Sequence, residues 1–382
     1  MKASHTADIF CKVVDNYGDV GVAWRLTRQL ESEQGFNVRF WVDNLATLAQ
    51  ICAEVDAAKD RQNVGGIEIR RWSIPFPESN PAEIVIETFG CNLPENYVIA
   101  MAHRAHQPAW INLDYLSAEN WIDSHHMLPS PHPRLALTKY YFFPGFTDQT
   151  GGLLRERDLL VRRDAFQQDK NAHAILWHKL GVPPPAQGEL RVSLFCYENP
   201  GLPELLQSWS TGRQPITCLV PDGVARESVA KFFAGEICTQ RKSLTRGQLT
   251  VHTIPFTNQD KYDLLLWACD VNFVRGEDSF VRAQWAARPF VWHIYPQQEN
   301  AHWVKLNAFI DLYVTGMPAE HAAAVRDFWR AFNAGRGAGA AWDAFADHFI
   351  HMDTYNRKWS AQLASRTDLA SGLAEICRKL IK

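Results

Sequence analysis

The sequence predicts an α/β fold of two Rossmann-like domains, each built on a mainly parallel sheet. Short apolar runs bounded by turn residues alternate with amphipathic stretches along most of the chain, the pattern of strands joined by crossover helices. The alternation breaks once, at Pro183-Pro184-Pro185-Ala186-Gln187-Gly188, and then resumes; a triple proline followed by glycine is a linker signal. The chain's 382 residues, 46% of them hydrophobic, are enough for two cores.

Taken in order, residues 7–14 read as a strand, 15–21 as the loop after it, and 22–34 as a helix with Val22, Leu26 and Leu30 on one face. Strands follow at 37–42, 67–72, 84–88, 109–113 and 135–143, with helices at 45–55 and 95–105. Residues 160–181 read as one charged amphipathic helix before the proline break. In the second half, strands are predicted at 191–197, 216–220, 249–255, 271–274 and 290–295. After Met317 the chain is helical, interrupted by Gly335-Arg336-Gly337-Ala338-Gly339. That glycine run follows a helix, so it reads as a loop and not as a dinucleotide fingerprint. The first domain is therefore expected over 1–182, with a C-terminal helix at 357–382 packing back on it, and the second over 183–356.

Composition narrows the function. A net charge of -3 and a pI near 6.5 argue against a general nucleic-acid binder. No apolar run reaches the roughly 18 residues of a membrane span, and the opening MKASHTADIF lacks the apolar core of a signal peptide. The eight cysteines are scattered with no C-x-x-C pair, and Cys11, Cys196, Cys218 and Cys269 sit in apolar segments where a thiol is a small buried hydrophobe. A reduced, cytoplasmic protein is expected. Most of the fourteen tryptophans are expected to be packing residues.

Ligands of open α/β sheets bind beyond the carboxyl ends of the strands. That directs attention to four loops, at 15–21, 114–121, 195–200 and 275–279. The last is the most informative. Strand 271–274, the turn Arg275-Gly276-Glu277-Asp278-Ser279, a helix at 280–287 and strand 290–295 make a βαβ unit. Its helix N-terminus favours anions, because unpaired N–H groups and the positive end of the helix dipole point there. Arg275 adds a planar multi-donor cation and Ser279 a hydroxyl, as in a diphosphate cradle without a P-loop. The plainer alternative is that Glu277, Asp278 and Ser279 are ordinary first-turn residues and that Arg275 pairs with one of the carboxylates.

In the first loop, Asp15 and Asp19 flank Tyr17 and Gly18. Two carboxylates there can bind a cation, act as a base, or do both; alternatively Asp15 begins a turn and Asp19 caps the helix. Phe195 and Tyr197 close one strand of the second domain, and Phe256 and Gln259 follow another. These can hold a nucleobase, or be core aromatics beside a helix capped by Asn258. Asp123, His125, His126 and His132 form one polar cluster, and His348, His351 and Asp353 another, but neither matches a tight metal-ligand motif. No dedicated metal is expected.

The combination of Asp15-Asn16-Tyr17-Gly18-Asp19, Asn112-Leu113-Asp114-Tyr115-Leu116-Ser117-Ala118-Glu119, Phe143-Pro144-Gly145-Phe146 and Arg275-Gly276-Glu277-Asp278-Ser279 resembles the EarP family, the bacterial arginine rhamnosyltransferases that modify translation elongation factor P. The resemblance runs over nearly the whole chain. It implies a GT-B glycosyltransferase, with two Rossmann-like domains facing across a cleft and the nucleotide sugar on the second. It implies TDP-β-L-rhamnose as donor, an arginine of elongation factor P as acceptor, and inversion at the sugar without a metal or other cofactor. On the family pattern Asp15, Asp19 and Glu277 carry or support catalysis. Phe195, Tyr197, Phe256, Gln259, Arg275, Asp278 and Ser279 hold the donor.

The chemistry suits those residues. A guanidinium has a pKa above about 12 and a delocalised lone pair, so no aspartate deprotonates it before attack. The proton must leave as the C–N bond forms, and Asp19 is the preferred base, with Asp15 orienting the guanidinium or supporting the loop. Arg275 and the helix N-terminus can stabilise the leaving diphosphate. Tyr17, Asp114, Tyr115 and Glu119 are the expected acceptor contacts; a capped helix start over 117–121 is the alternative for the last part of that stretch. Two rival functions remain: a GT-B-like sugar-nucleotide epimerase or small-acceptor transferase, and a non-catalytic nucleotide-binding interaction protein.

Overall fold

A computed structural model describes residues 5–234 and 243–381, and within it the chain divides into two compact units. The first runs up to Arg157 and takes in the chain again from Leu363; the second is Asp158–Gln362.

In the first unit, β1 (Thr6–Cys11) leads into α1 (Asn16–Ser32), followed by β2 (Asn37–Val42), α2 (Leu45–Ile51), β3 (Arg61–Val64) and β4 (Ile67–Arg71). Then come β5 (Ile84–Thr88), α3 (Glu95–Ala102), β6 (Ala109–Leu113), α4 (Trp121–His125), β7 (Pro129–Pro131) and β8 (Thr138–Phe142). The eight strands lie in the order β3-β4-β2-β1-β5-β6-β8-β7. All pairs are parallel except the two edge hairpins, β3 with β4 and β7 with β8. The central strands are buried on both faces, so β1 and β5 show no alternation with exposed positions; their buried carboxylates, Asp8 and Glu87, are paired with Arg39 and Lys139. Phe10 and Trp41 stack in the core at 5.8 Å with Tyr97 and Met101 beneath.

The second unit opens with α5 (Leu159–Gln168) and α6 (Lys170–Leu180). Its sheet comprises β9 (Leu190–Leu194), β10 (Ile216–Pro221), β11 (Ser243–Arg246), β12 (Leu249–Ile254), β13 (Val271–Arg275) and β14 (Phe290–His293), in the order β11-β12-β10-β9-β13-β14. Between the strands lie α7 (Leu202–Thr211), α8 (Arg226–Phe232), α9 (Gln259–Ala268) and α10 (Asp278–Ala286). After β14 come α11 (His302–Tyr313), α12 (Ala319–Asn333), α13 (Ala338–Ala346) and α14 (Phe349–Ala364). A bidentate ion pair, Arg282 to Asp263 at 2.9 and 2.6 Å, joins α10 to α9 out of reach of water. The last helix, α15 (Leu369–Leu380), belongs to the first unit, where Asp368 accepts from Gln29 on α1 at 2.9 Å.

The domain boundaries differ from the expected 182/183 and 356/357 for a physical reason. Arg163 on α5 donates to the Trp285 carbonyl at 2.8 Å and to Ser360 at 3.0 Å, and Gln167 donates to the Ala286 carbonyl at 3.0 Å. These bonds tie the segment before the prolines to the second unit. The expected single helix at 160–181 is two helices, because Asp169 turns out of helical geometry and its carboxylate caps α6 through the N–H groups of Asn171 and Ala172. Most tryptophans are indeed buried, and the seven described cysteines are buried free thiols. No described helix is long and apolar enough to cross a membrane.

Strand order reverses once in each sheet. In the first unit the chain moves outward from β1 through β2 to β4, then restarts on the other side with β5. In the second it moves from β9 through β10 to β12, then restarts with β13. Such a reversal opens a crevice beyond the strands' carboxyl ends, where open α/β sheets take ligands.

Candidate active site

The first unit's switch point is acidic. The expected helix start at 22 was too late: α1 begins at Asn16, so Asp15 holds the N-cap position and Asp19 lies in the first turn. Asp15 makes no side-chain cap, and Asp19 does not cap the helix forward either. Its Oδ2 reaches back and accepts the N–H groups of Val14 and Asp15, each at 2.8 Å. Its Oδ1 accepts the Tyr115 hydroxyl at 3.3 Å. Asp19 is 2% exposed. Beneath it Cys11 is held protonated, its pKa raised first by burial and then by the Asp19 charge. Gly18 is a close-approach residue, since a Cβ there would lie 2.6 Å from Asp15 Oδ2. Tyr17 turns its hydroxyl onto the Gln50 side chain of α2.

Across the switch, the loops after β5 and β6 interlock. Asn112 accepts the Gly90 N–H at 3.0 Å and donates to Asp114 Oδ2 at 3.1 Å, while Asp114 Oδ1 accepts the Tyr115 N–H at 2.8 Å. Asp114, an expected acceptor contact, is thus occupied in shaping its own loop. The Glu119 carboxylate is engaged by Ser117, whose Oγ donates to it at 2.9 Å and accepts the Glu119 N–H at 3.1 Å. This is a local turn ahead of α4, which starts at Trp121. Tyr115 remains 38% exposed and stacks on Phe89 at 4.5 Å.

The second unit's switch point is aromatic and basic. Arg275 ends β13, and its guanidinium carbon lies 4.6 Å from the ring centre of Phe195 and 4.8 Å from that of Tyr197. Its Nη1 donates to the Cys196 carbonyl at 3.3 Å. Phe256 is 6.4 Å from Phe195. Asp278 opens α10 and accepts from Gln259 Nε2 at 3.0 Å, while Asn258 caps α9 through the Lys261 N–H. The Ser279 hydroxyl donates to the Arg275 carbonyl and accepts the Arg275 N–H at 3.2 Å. Gly276, with φ of 61°, makes the turn between strand and helix, and Trp292 Nε1 donates to its carbonyl at 2.9 Å. Glu277 occupies the N-cap position of α10 without a side-chain cap. All seven expected donor residues therefore gather at one strand-end cluster, with Arg275 stacked on aromatic faces.

Sequence reasoning missed Phe89, His293 and Tyr295. His293 ends β14 at 5.4 Å from Tyr197, 5% exposed, with its pKa lowered to about 3 by burial and by Arg275. Tyr295 is also 5.4 Å from Tyr197. Only the finished sheet order, with β9 beside β13, brings the end of β14 to Tyr197, so no local signal marked these two. The two histidine clusters make local contacts, and His348 and His351 lie against His321 at 4.1 and 5.2 Å. His126 Nδ1 accepts the Phe143 N–H, His132 Nδ1 accepts those of Arg134 and Leu135, and Asp123 accepts from Thr147. Asp353 pairs with Arg288 and Arg357. Among the described residues, no group of three or more ligating side chains converges on a point that would hold a metal ion.

Two Rossmann-like units, each with a side-chain cluster at its switch point, define a GT-B glycosyltransferase. The architecture is shared with Acinetobacter baumannii MurG at a TM-score of 0.52 and 10% identity, over 99% of this chain and 100% of that one. A solved EarP structure, described for arginine glycosylation of translation elongation factor EF-P, matches far more closely. Its TM-score is 0.71 with 37% identity, covering 98% of this chain and 99% of that one. The protein-arginine rhamnosyltransferase of Pseudomonas putida is 48% identical over 378 residues, 99% of either chain; that of Pseudomonas aeruginosa is 46% identical over 368 residues, 96% of this chain and 97% of its own. The family profile of elongation factor P (EF-P) rhamnosyltransferase EarP matches residues 7–378, and the chain belongs to that family.

Proposed function

We propose that this protein transfers L-rhamnose from TDP-β-L-rhamnose to an arginine side chain of elongation factor P, with inversion, in the cytoplasm and without a metal or other cofactor. One observation carries the assignment of roles: the carboxylates lie at one switch point and the guanidinium with its aromatic bed at the other. Arg275 and the N–H groups of α10 receive the diphosphate, with Phe195, Tyr197 and Phe256 supplying the apolar surface for thymine and sugar. Gln259, Asp278 and Ser279 brace the same turn and offer hydroxyl partners.

In the transfer, a guanidinium nitrogen forms the bond to the anomeric carbon as the bond from that carbon to the diphosphate oxygen breaks. The electron pair leaves with TDP, and one N–H proton passes to Asp19 as the nitrogen becomes acidic. Asp15 orients the guanidinium, and Glu277 supports the sugar side. Arg275 offsets the charge growing on the diphosphate, the part a metal ion plays in other transferases. Tyr17 lines the acceptor edge, beside the loop that Asp114 and Glu119 shape.

Incubation of the protein and elongation factor P with TDP-rhamnose, followed by intact-mass measurement, tests the reading. The expected gain is one deoxyhexose, roughly 146 Da, on an arginine, and it survives EDTA. An unmodified acceptor alongside an altered free sugar nucleotide would point to an epimerase instead. Activity lost on chelation and restored by magnesium or manganese would overturn the metal-free mechanism.

A further inference from the structure

The base assigned to Asp19 needs its carboxylate held in one orientation, and the structure shows a chain of contacts suited to that. Oδ2 carries two main-chain N–H groups, whereas Oδ1 carries the Tyr115 hydroxyl at 3.3 Å. A carboxylate oxygen has two lone pairs, so among the contacts of the described residues Oδ2 is saturated and Oδ1 keeps one for an incoming proton. The Tyr115 ring lies nearly parallel to Phe89, at 4.5 Å and 19°. Phe89 adopts φ of 57°, a left-handed conformation uncommon for a residue with a bulky side chain. Its N–H donates to the Leu113 carbonyl at 2.7 Å, which anchors the strained residue to the strand that feeds Tyr115. Non-glycine residues held in this region cluster where surrounding structure over-determines them, and functional sites are such places.

We infer that Phe89 and Tyr115 are positioning residues for the transfer: Phe89 fixes the Tyr115 ring, and the Tyr115 hydroxyl fixes the Asp19 carboxylate so that Oδ1 is the oxygen that takes the proton. The inference rests on the assignment of Asp19 as base. Tyr115 then serves through Asp19 rather than as a platform for the acceptor. The stack is the part that no sequence motif encodes, because Phe89 and Tyr115 come from the ends of neighbouring strands β5 and β6.

Steady-state kinetics with elongation factor P and TDP-rhamnose, on folded variants checked by melting, test this. Tyr115→Phe keeps the stack and deletes the hydroxyl; kcat should fall about tenfold, the scale of one hydrogen bond to a charged group, with both KM values nearly unchanged. Phe89→Asn removes the ring while suiting the left-handed backbone, and kcat should fall comparably. Phe89→Tyr should restore it. The double variant Tyr115→Phe/Phe89→Asn should be no slower than the slower single one, because both act through the same hydroxyl. Losses that multiply, a Tyr115→Phe enzyme with parental kcat, or an acceptor KM that rises at constant kcat would each overturn the relay. Failure of the underlying assignment appears elsewhere: an Asp19→Asn enzyme with parental turnover removes the base itself, whatever the tyrosine variants do.

Discussion

At the carboxyl end of β1 the chain turns into a helix whose first turn carries Asp19; at the end of β13 it turns into a helix whose approach carries Arg275. Both turns lie where their sheet reverses direction, and both lead into a helix N-terminus. A helix N-terminus left to itself attracts anions. In the first unit the Asp19 carboxylate lies in the first turn and accepts the N–H groups of Val14 and Asp15, the two residues just ahead of the helix. A carboxylate held in this way suits the guanidinium partner of the proposed transfer. In the second unit the first-turn hydroxyl serves the turn itself, and a stacked guanidinium adds to the positive field. On the proposed reading, the same backbone arrangement serves a cation in one unit and an anion in the other according to one side chain.

The sharpest way to break this contrast is Asp19→Asn. Asparagine keeps the shape and an oxygen that can accept the Val14 and Asp15 N–H groups, but it cannot take a proton. Turnover should fall by about 10²-fold or more, the usual scale for lost general-base catalysis, while donor affinity by calorimetry and the melting temperature stay near parental. Parental turnover would move the base role to Asp15 or Glu277.

The anion side is tested next. Arg275→Ala should weaken TDP-rhamnose binding by about 1.5–3 kcal/mol, roughly 10- to 150-fold in Kd. Its effect should appear in donor affinity and leave the acceptor KM alone. An unchanged donor Kd would remove Arg275 from the site.

How far this contrast was legible in sequence depends on the distance over which each signal acts. The βαβ unit around 271–295 and the strand at 84–88 were readable because apolar runs and turn residues are local. So was the turn around Arg275, where the fold brings the expected donor residues together. The start of α1 was not, because Asn16, Tyr17 and Gly18 are poor helix formers, and the fold overrides propensity once Asp19 reaches back to hold the turn. The antiparallel edge strands β3 and β11 were missed for lack of apolar content. Phe89 and His293 were invisible, since only the finished strand order puts them beside Tyr115 and Tyr197.

His293 gives a pH test of the basic side. Its pKa falls from 6.5 to about 3 because burial and Arg275 disfavour a second cation there. The unfolded chain therefore takes up a proton that the native one refuses between those values. Its neutral form is fully accommodated above pH 6.5, and stability is lost as pH falls below that, by about 1.4 kcal/mol per pH unit from this residue. His126, His173 and His252, also lowered by burial, act in the same direction. His293→Phe should flatten the dependence of unfolding free energy on pH between 6.5 and 4 by about that slope, read as the difference between variant and parent in urea titrations. An unchanged slope would mean that the imidazole is protonated in the native protein, and that this switch point tolerates more positive charge than the contrast allows.

The smallest expected change in free energy tests the acidic side. Gly18 lies within the first turn of α1, where replacing glycine by alanine gains about 0.5–1 kcal/mol of helix stability. The new Cβ would lie 2.6 Å from Asp15 Oδ2, and the flexible carboxylate must swing aside. Melting of Gly18→Ala should therefore stay within about 1 kcal/mol of parental, while the acceptor loses an oriented carboxylate. If Asp15 binds the guanidinium, Gly18→Ala and Asp15→Asn should both raise the acceptor KM severalfold and leave the donor Kd unchanged. If Gly18→Ala keeps parental kinetics despite the displaced side chain, Asp15 only shapes the loop. The negative half of the contrast then reduces to Asp19 and the hydroxyl that holds it.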